Sequence, residues 1–178
     1  MLIFDEIQTG LGRTGKLFAE EHDGIEADAT LVGKALSGGF YPISAVLSND
    51  DILNVFMPGD HGSTFGGNPL ACAVAREALK VLQDENLIQH AETLGNYFMD
   101  QLRAFNSPYV KEVRGKGLLV GVELTPETGP ARPFCEKLMK AGLLCKETHE
   151  TVIRFAPPLV ITKEQLDWAL GEIEKVLT

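Results

Sequence analysis

Two side chains near the start of the chain have types and positions suited to chemistry. Asp5 closes the apolar run Met1-Leu2-Ile3-Phe4, which reads as a buried strand of a parallel sheet. Lys34 closes a second short apolar run, Ala29–Gly33, and the glycine-rich segment Ser37-Gly38-Gly39 follows it. Open α/β sheets bind ligands at the carboxyl ends of their strands, so both side chains fall where a ligand would sit. A buried carboxylate there is costly unless it meets a cation. A buried lysine loses its proton readily, which suits imine formation with a carbonyl group. The pair fits pyridoxal phosphate, with the lysine forming the imine and the aspartate pairing with the pyridinium nitrogen. The same spacing is met by an aspartate that caps a loop and a lysine that is solvated. The residues alone leave these two readings equal.

Other patterns are weaker. Gly10-Leu11-Gly12-Arg13-Thr14-Gly15 satisfies G-x-G-x-x-G after a strand. A dinucleotide fold needs a long helix opening on the last glycine, whereas Lys16–Gly24 is short and acidic. The overlapping Gly10…Gly15-Lys16 imitates a phosphate loop, but Leu17 has no hydroxyl to hold Mg²⁺. The segment is expected to be a surface loop whose glycines permit tight turns. His22, His61, His90 and His149 are scattered, with no metal-ligand spacing, so no metal is expected. His61 adjoins a glycine-rich loop and is expected to help its shape. Cys72, Cys135 and Cys145 are an odd number in no metal-like pattern, which points to buried thiols in a reducing compartment. Cys72, in an apolar helical stretch, reads as a small core residue.

The elements that must position these residues follow from local signals. Strands are predicted at 2–5, 29–33 and 43–47, with a short helix near 17–22 and another after Ser48-Asn49-Asp50. Residues 57–67 form a loop with four glycines. Asn68 caps a helix with Pro69 at its first position, and the apolar spacing carries it to about Asp84. A second amphipathic helix spans 88–105. Strands 110–113 and 118–124 pair around Gly115-Lys116-Gly117. A helix over 132–141 is closed by Gly142, and strands 143–146 and 152–155 follow. Thr162-Lys163-Glu164-Gln165 is a capping box opening a last helix through Leu177. Trp168 is expected to pack between that helix and the sheet. The front thus reads as fragments of a parallel α/β sheet with long functional loops. The tail from residue 85 reads as a small α+β domain, β-β-α-β-β-α.

Composition narrows the function. The 178 residues are 44% hydrophobic, enough for a real core. Sixteen Lys+Arg against 25 Asp+Glu give a net charge of −9, which argues against a nucleic-acid backbone or an anionic membrane surface as partner. No stretch approaches the length of a bilayer span and no secretory leader pattern opens the chain, so the expected location is cytoplasmic.

The blocks LIFDEIQTGLGRTGK, LVGKALSGGFYPISAV and HGSTFGGNPLACAVA resemble the class III (fold type I) pyridoxal-phosphate aminotransferases. The tail VRGKGLLVGVEL and ARPFCEKLMKAGLLCKETHETVIRFAPPLVIT looks like the ornithine-handling branch rather than the acetylornithine or 4-aminobutyrate branches. The resemblance covers essentially the whole chain but corresponds to the C-terminal part of a family member. It implies an α/β fold: part of the PLP-transferase large-domain sheet over 1–84 with a connecting helix, then a small C-terminal α+β domain over 85–178. It also implies roles. Lys34 matches the lysine that forms the imine with pyridoxal 5′-phosphate and then shuttles a proton. Asp5 matches the partner of the pyridine nitrogen, Ile7 the apolar residue on one ring face, and Gln8 the side chain near the ring's 3′-oxygen. Thr64, in the Gly62-Ser63-Thr64 loop, matches a hydroxyl that binds the cofactor phosphate of the neighbouring subunit, and the adjacent hydroxyl of Ser63 is included with it. Arg154 resembles the arginine that engages a substrate carboxylate. An arginine on a buried strand needs a planar anion, and an internal salt bridge would also supply one. Upstream, the family supplies the main phosphate turn, an aromatic on the other ring face, a second arginine and a glutamate that masks the first. The expectation is a chain active only with a complementary N-terminal chain, as a homodimer of the whole, taking a small-molecule amino donor and a 2-oxo acid. A non-catalytic dimerisation or binding module is the alternative.

Overall fold

The computed structural model describes all 178 residues, and they form two compact units. Residues 1–12 and 16–88 make the first; residues 13–15 and 89–178 make the second.

The first unit carries a three-stranded sheet of order β1-β2-β3, from β1 (Ile3–Asp5), β2 (Ala29–Val32) and β3 (Ala45–Ser48). β1 and β2 run parallel, with Asp5 opposite Leu31. β3 runs antiparallel to β2, with Leu31 opposite Val46, where a parallel fragment was expected. The reason lies in the connection: residues 33–44 hold only a 3-10 turn, Lys34–Ser37. A parallel return needs a crossover, usually through a helix, and these twelve residues form none. Two helices follow, α1 (Asp50–Leu53) and α2 (Pro69–Asp84). Both open as the sequence requires: Asn49 Oδ1 accepts the N–H of Ile52 (3.1 Å) and Asn68 Oδ1 that of Ala71 (2.8 Å).

The core of this unit is small: Leu11, Val32, Leu36 and Ala75, flanked by Phe18, Ile43, Ala45 and Leu82. The expected buried strand is not buried. Ile3 is 50% exposed and Val46 54%, on β1 and β3, the two edge strands of the sheet. The glycine loop is corrected in the opposite sense. Gly10, Leu11 and Gly12 are buried within the first unit, and Thr14 and Gly15 within the second. A Cβ on Gly10 would lie 2.8 Å from the Glu6 carbonyl oxygen, and one on Gly15 2.8 Å from Glu92 Cβ. These glycines serve close packing, not a phosphate. Cys72, expected in the core, is exposed on α2.

The second unit is built on α3 (Leu87–Ala104), α4 (Arg132–Lys140), α5 (Lys163–Leu177) and an antiparallel sheet of order β4-β5-β7-β6. Its strands are β4 (Val110–Lys116), β5 (Leu119–Leu124), β6 (Lys146–Thr148) and β7 (Val152–Phe155). Alternation sets the register. Val120, Val122 and Leu124 are buried beside Phe98, Leu138, Ile153 and Ile173, while Glu123 reaches outward to Lys111 at 2.6 Å. Phe98 meets Phe155 edge to face, centroids 5.8 Å apart. The β4–β5 turn comes so close to α3 that a Cβ on Gly95 would lie 2.1 Å from the Gly117 carbonyl oxygen. A glycine inside a helix costs about 1 kcal/mol against alanine, and here the contact requires it. Residues 13–15 are stitched on by Leu118 N–H to Arg13 C=O (3.0 Å) and Arg13 Nη1 to Leu118 C=O (3.0 Å). Burial lowers the pKa of that guanidinium.

Two expectations fail in this unit. β6 begins at Lys146, later than the apolar run 143–146 suggested, because Leu143 packs into the core after the Gly142 turn. Trp168 is 52% exposed and its ring edge lies beside Gly142, not on the sheet.

The cap of α5 forms as a reciprocal box: Thr162 Oγ1 accepts Gln165 N–H (3.2 Å) and Gln165 Oε1 accepts Thr162 N–H (2.9 Å). Thr162→Ala is expected to lower stability by about 1 kcal/mol in urea unfolding followed by helical circular dichroism. An unchanged midpoint would contradict the capping account.

The two core thiols also make a prediction. Burial pushes the Cys145 thiol up to about 12, with Cys135 beside it as the second cause. Burial raises Cys135 as well. The thiolate is the nucleophile, so both should resist alkylation near neutral pH. Peptide mapping after brief iodoacetamide treatment should find Cys72 modified and the other two protected until denaturant is added. Modification of Cys145 in the native protein would refute this.

Candidate active site

Lys34 is set by the chain reversal after β2. Gly33 is extended and buried, and Lys34 adopts φ +42°. A non-glycine residue in this left-handed region carries strain on the order of 1–3 kcal/mol, which surrounding structure must hold. The holding contacts are Leu36 N–H to Gly33 C=O (3.0 Å) and Gly38 N–H to Ala35 C=O (2.9 Å). Gly38 and Gly39, at φ +61° and +87°, then turn the chain back. The fully buried Ser37 accepts the N–H of Tyr41 on its Oγ (3.2 Å). Tyr41, Pro42, Ile43 and Ser44 are thereby returned beside Lys34. With Ile7 and Gly33 they line an open cavity of about 430 Å³. The expected buried amine is instead exposed at this cleft.

Asp5 is reached from the neighbouring strand. Parallel pairing puts the carboxyl ends of β1 and β2 on one sheet edge, with Asp5 opposite Leu31 and Lys34 three residues beyond it. Asp5 is exposed, and Oδ1 of its carboxylate accepts the N–H of Ile7 (3.1 Å). Ile7 is half-buried and would touch a Cβ on Gly33 at 3.5 Å, so β1's exit leans on the residue before the lysine. Gln8 is exposed.

Ser63 and Thr64 lie on the exposed loop before α2. Ser63 lines a larger cavity of about 960 Å³ together with Ile3, Ile7, Phe56 and His61; Thr64 does not. His61 is tilted against the Phe56 ring at 5.7 Å. The structure therefore brings together Ile7 with Lys34 in one cavity and Ile7 with Ser63 in the other. Arg154 belongs to the second unit. It sits on β7 between the buried Ile153 and Phe155, opposite Gly121 and Lys146. The ion pairs of this unit are made by other side chains, among them Arg114, Arg132 and Lys163.

Sequence reasoning missed Tyr41, Pro42 and Ser44 as cleft walls and Ser37 as the anchor behind them. The signal was present in the Gly38-Gly39 pair, which can reverse a chain onto the residue that precedes it.

An amine and a carboxylate at one carboxyl edge, beside an apolar wall, define a site of the kind carbonyl cofactors use. The chain belongs to the class-III aminotransferase family, whose profile, "Aminotransferase class-III", matches residues 1–177. Enzymes of that class use pyridoxal 5′-phosphate. Among individual proteins, an ornithine aminotransferase of Bordetella pertussis is 62% identical over 99% of this chain. The chain spans 43% of that relative's length. The crystal structure of ornithine aminotransferase from Toxoplasma gondii, described with partial occupancy of PLP at its active site, superposes with a TM-score of 0.94. Its identity is 51%, over 99% of this chain and 42% of that one. An acetylornithine aminotransferase from Elizabethkingia anophelis gives a TM-score of 0.92 at 52% identity, over 99% of this chain and 45% of that one.

Proposed function

We propose that this chain is the C-terminal portion of an aminotransferase that moves the δ-amino group of ornithine to 2-oxoglutarate with pyridoxal 5′-phosphate. The products would be glutamate 5-semialdehyde and glutamate. One observation carries the reading: an amine and a carboxylate stand at the shared carboxyl edge of β1 and β2, and Ile7 lines the Lys34 cleft. Similarity to ornithine aminotransferases at 62% identity supports the donor.

The residues fit the cofactor. The cleft is open and about 430 Å³, and Asp5 sits on the same sheet edge as the lysine. When bound, the cofactor supplies an electron-accepting ring that stabilises charge on the substrate carbon. Asp5 would hold the proton on the ring nitrogen, a charge pairing that strengthens away from water. Lys34 Nζ would bind the aldehyde carbon and, once released by substrate, carry the proton between the substrate carbon and the cofactor's C4′. Ile7 would pack on one ring face and Gln8 would meet the 3′-oxygen. Ser63 and Thr64 would give hydroxyls to the phosphate of the neighbouring subunit's cofactor, which makes the dimer part of the site. Arg154 would bind the substrate carboxylate through its planar fork.

The other partner in this reading is the N-terminal portion of the same enzyme, with residues 1–84 completing its large domain and 85–178 forming its small one. Support comes from the uncovered apolar side chains around the 960 Å³ cavity, Ile3, Val46 and Phe65 among them. Patches of this kind mark contact surfaces. Three free cysteines support a cytoplasmic location. No helix is long and apolar enough to cross a membrane.

A second reading, N-acetylornithine as donor, is favoured by the 52% identity to the Elizabethkingia enzyme. Side-by-side assays of the full-length protein with ornithine, N-acetylornithine and 4-aminobutyrate decide it. Ornithine should be turned over fastest; a faster rate with either competitor would replace the donor while keeping the chemistry.

A further inference from the structure

We propose that Glu6 is a positioning residue of this site, its buried carboxylate fixing the turn from which Asp5, Ile7 and Gln8 are presented. The inference rests on the functional reading above and adds a residue to it.

Glu6 is 2% exposed. Carboxylates are almost never buried this fully unless paired with a cation, and no salt bridge involves this one. It is met by two neutral donors instead: Oε1 accepts the N–H of Glu20 (3.0 Å) and Oε2 accepts the hydroxyl of Thr9. The backbone of the same residue is held as tightly. Its N–H donates to Leu31 C=O (3.0 Å), extending the parallel ladder by one rung, and its C=O accepts the N–H of Gly10 (2.9 Å). Glu6 thus ties three pieces of chain together: the end of β2, the turn at 6–10, and the 3-10 turn Ala19–His22.

Strand geometry turns this anchoring toward the site. Successive side chains of an extended segment point to opposite faces. Glu6 points inward and is buried; Asp5 and Ile7, on either side, are exposed and half-buried. Asp5 and Ile7 are themselves coupled by the Ile7 N–H to Asp5 Oδ1 bond, and Ile7 walls the Lys34 cleft. Release of Glu6 would orphan the Glu20 N–H and let the turn relax. The carboxylate at 5 and the apolar wall at 7 would then move together.

The chemistry of the substitutions separates positioning from mere stability. Glu6→Gln keeps an oxygen for Glu20 N–H, and the Thr9 hydroxyl can rotate to accept from the new amide. Glu6→Leu keeps the volume and satisfies neither. Thr9→Val removes one contact and leaves the carboxylate on Glu20. The test uses the full-length enzyme and titrates pyridoxal phosphate by the visible absorbance of the bound cofactor. It also follows the pH dependence of that absorbance, which titrates with the imine nitrogen and senses, through conjugation, the charge that Asp5 holds on the ring. Glu6→Leu should weaken cofactor binding by about tenfold or more and shift the pH midpoint, since misplacements near 1 Å have effects of this size or larger. Thr9→Val should move both in the same direction by less, and Glu6→Gln should stay close to the parent. Loss of thermal stability in Glu6→Leu with cofactor affinity and pH midpoint unchanged overturns the proposal. If Glu6→Leu does not fold, an unshifted Thr9→Val midpoint overturns it equally. A parent enzyme that shows no cofactor band refutes the functional reading itself, a result distinct from a parent with the band and variants that match it.

Discussion

Replacing Lys34 by alanine in the full-length enzyme is expected to reduce transamination at least about ten-thousand-fold. A positioned proton carrier contributes up to roughly 10⁴ by itself, and the same amine is the covalent anchor of the cofactor in this account. The loss should be almost wholly in kcat. The fold should survive, because Lys34 is exposed and the turn around it is held by backbone bonds that alanine retains. Thermal unfolding of the variant therefore provides the control: an unchanged Tm with activity gone assigns the loss to the amine. A small primary amine added to the medium should restore a fraction of the rate. Turnover in the variant within tenfold or so of the parent would remove Lys34 from the chemistry.

Asp5→Asn should have the next largest effect. The amide keeps an oxygen for the Ile7 N–H, so the turn is preserved while the charge is lost. A preorganised electrostatic partner of a transition state is worth about 10²–10³ in kcat when removed, and that is the expected fall. Asp5→Glu keeps the charge but lengthens the arm and should lie between. The pH midpoint of the cofactor absorbance should move in Asp5→Asn, since a neutral amide no longer favours the protonated ring nitrogen, to which the imine is conjugated. Kinetics within a few-fold of the parent and an unmoved midpoint would mean that Asp5 does no more than cap the turn.

The parts legible in the sequence were those with a local cause. Asn68-Pro69 and Thr162…Gln165 opened helices where their side-chain oxygens could reach the free N–H groups of a first turn. The alternation of β5 could be read because only one face meets the core. That Asp5 and Lys34 fall at one sheet edge could be read because the carboxyl ends of neighbouring parallel strands lie together. What failed had a non-local cause. The direction of β3 depends on the absence of a crossover helix, not on its own apolar residues. The close packing of Gly10 and Gly15 depends on Glu6 and Glu92, four and seventy-seven positions away, which meet them only once the loop has folded back. Trp168 was expected between α5 and the sheet, yet its ring edge lies beside Gly142 and the residue is 52% exposed. Glu6 carried no signal beyond its type, since the N–H it binds belongs to Glu20, reached only once the loop has folded back.

Whether the amine at position 34 forms the covalent bond to the cofactor is decided by one measurement. Full-length protein saturated with pyridoxal phosphate is reduced with borohydride, digested and mapped by mass spectrometry. A pyridoxyl adduct is expected on the peptide containing Lys34 and on no other lysine. An adduct confined to a different lysine, or no adduct in a protein that turns over amino donors, would contradict it.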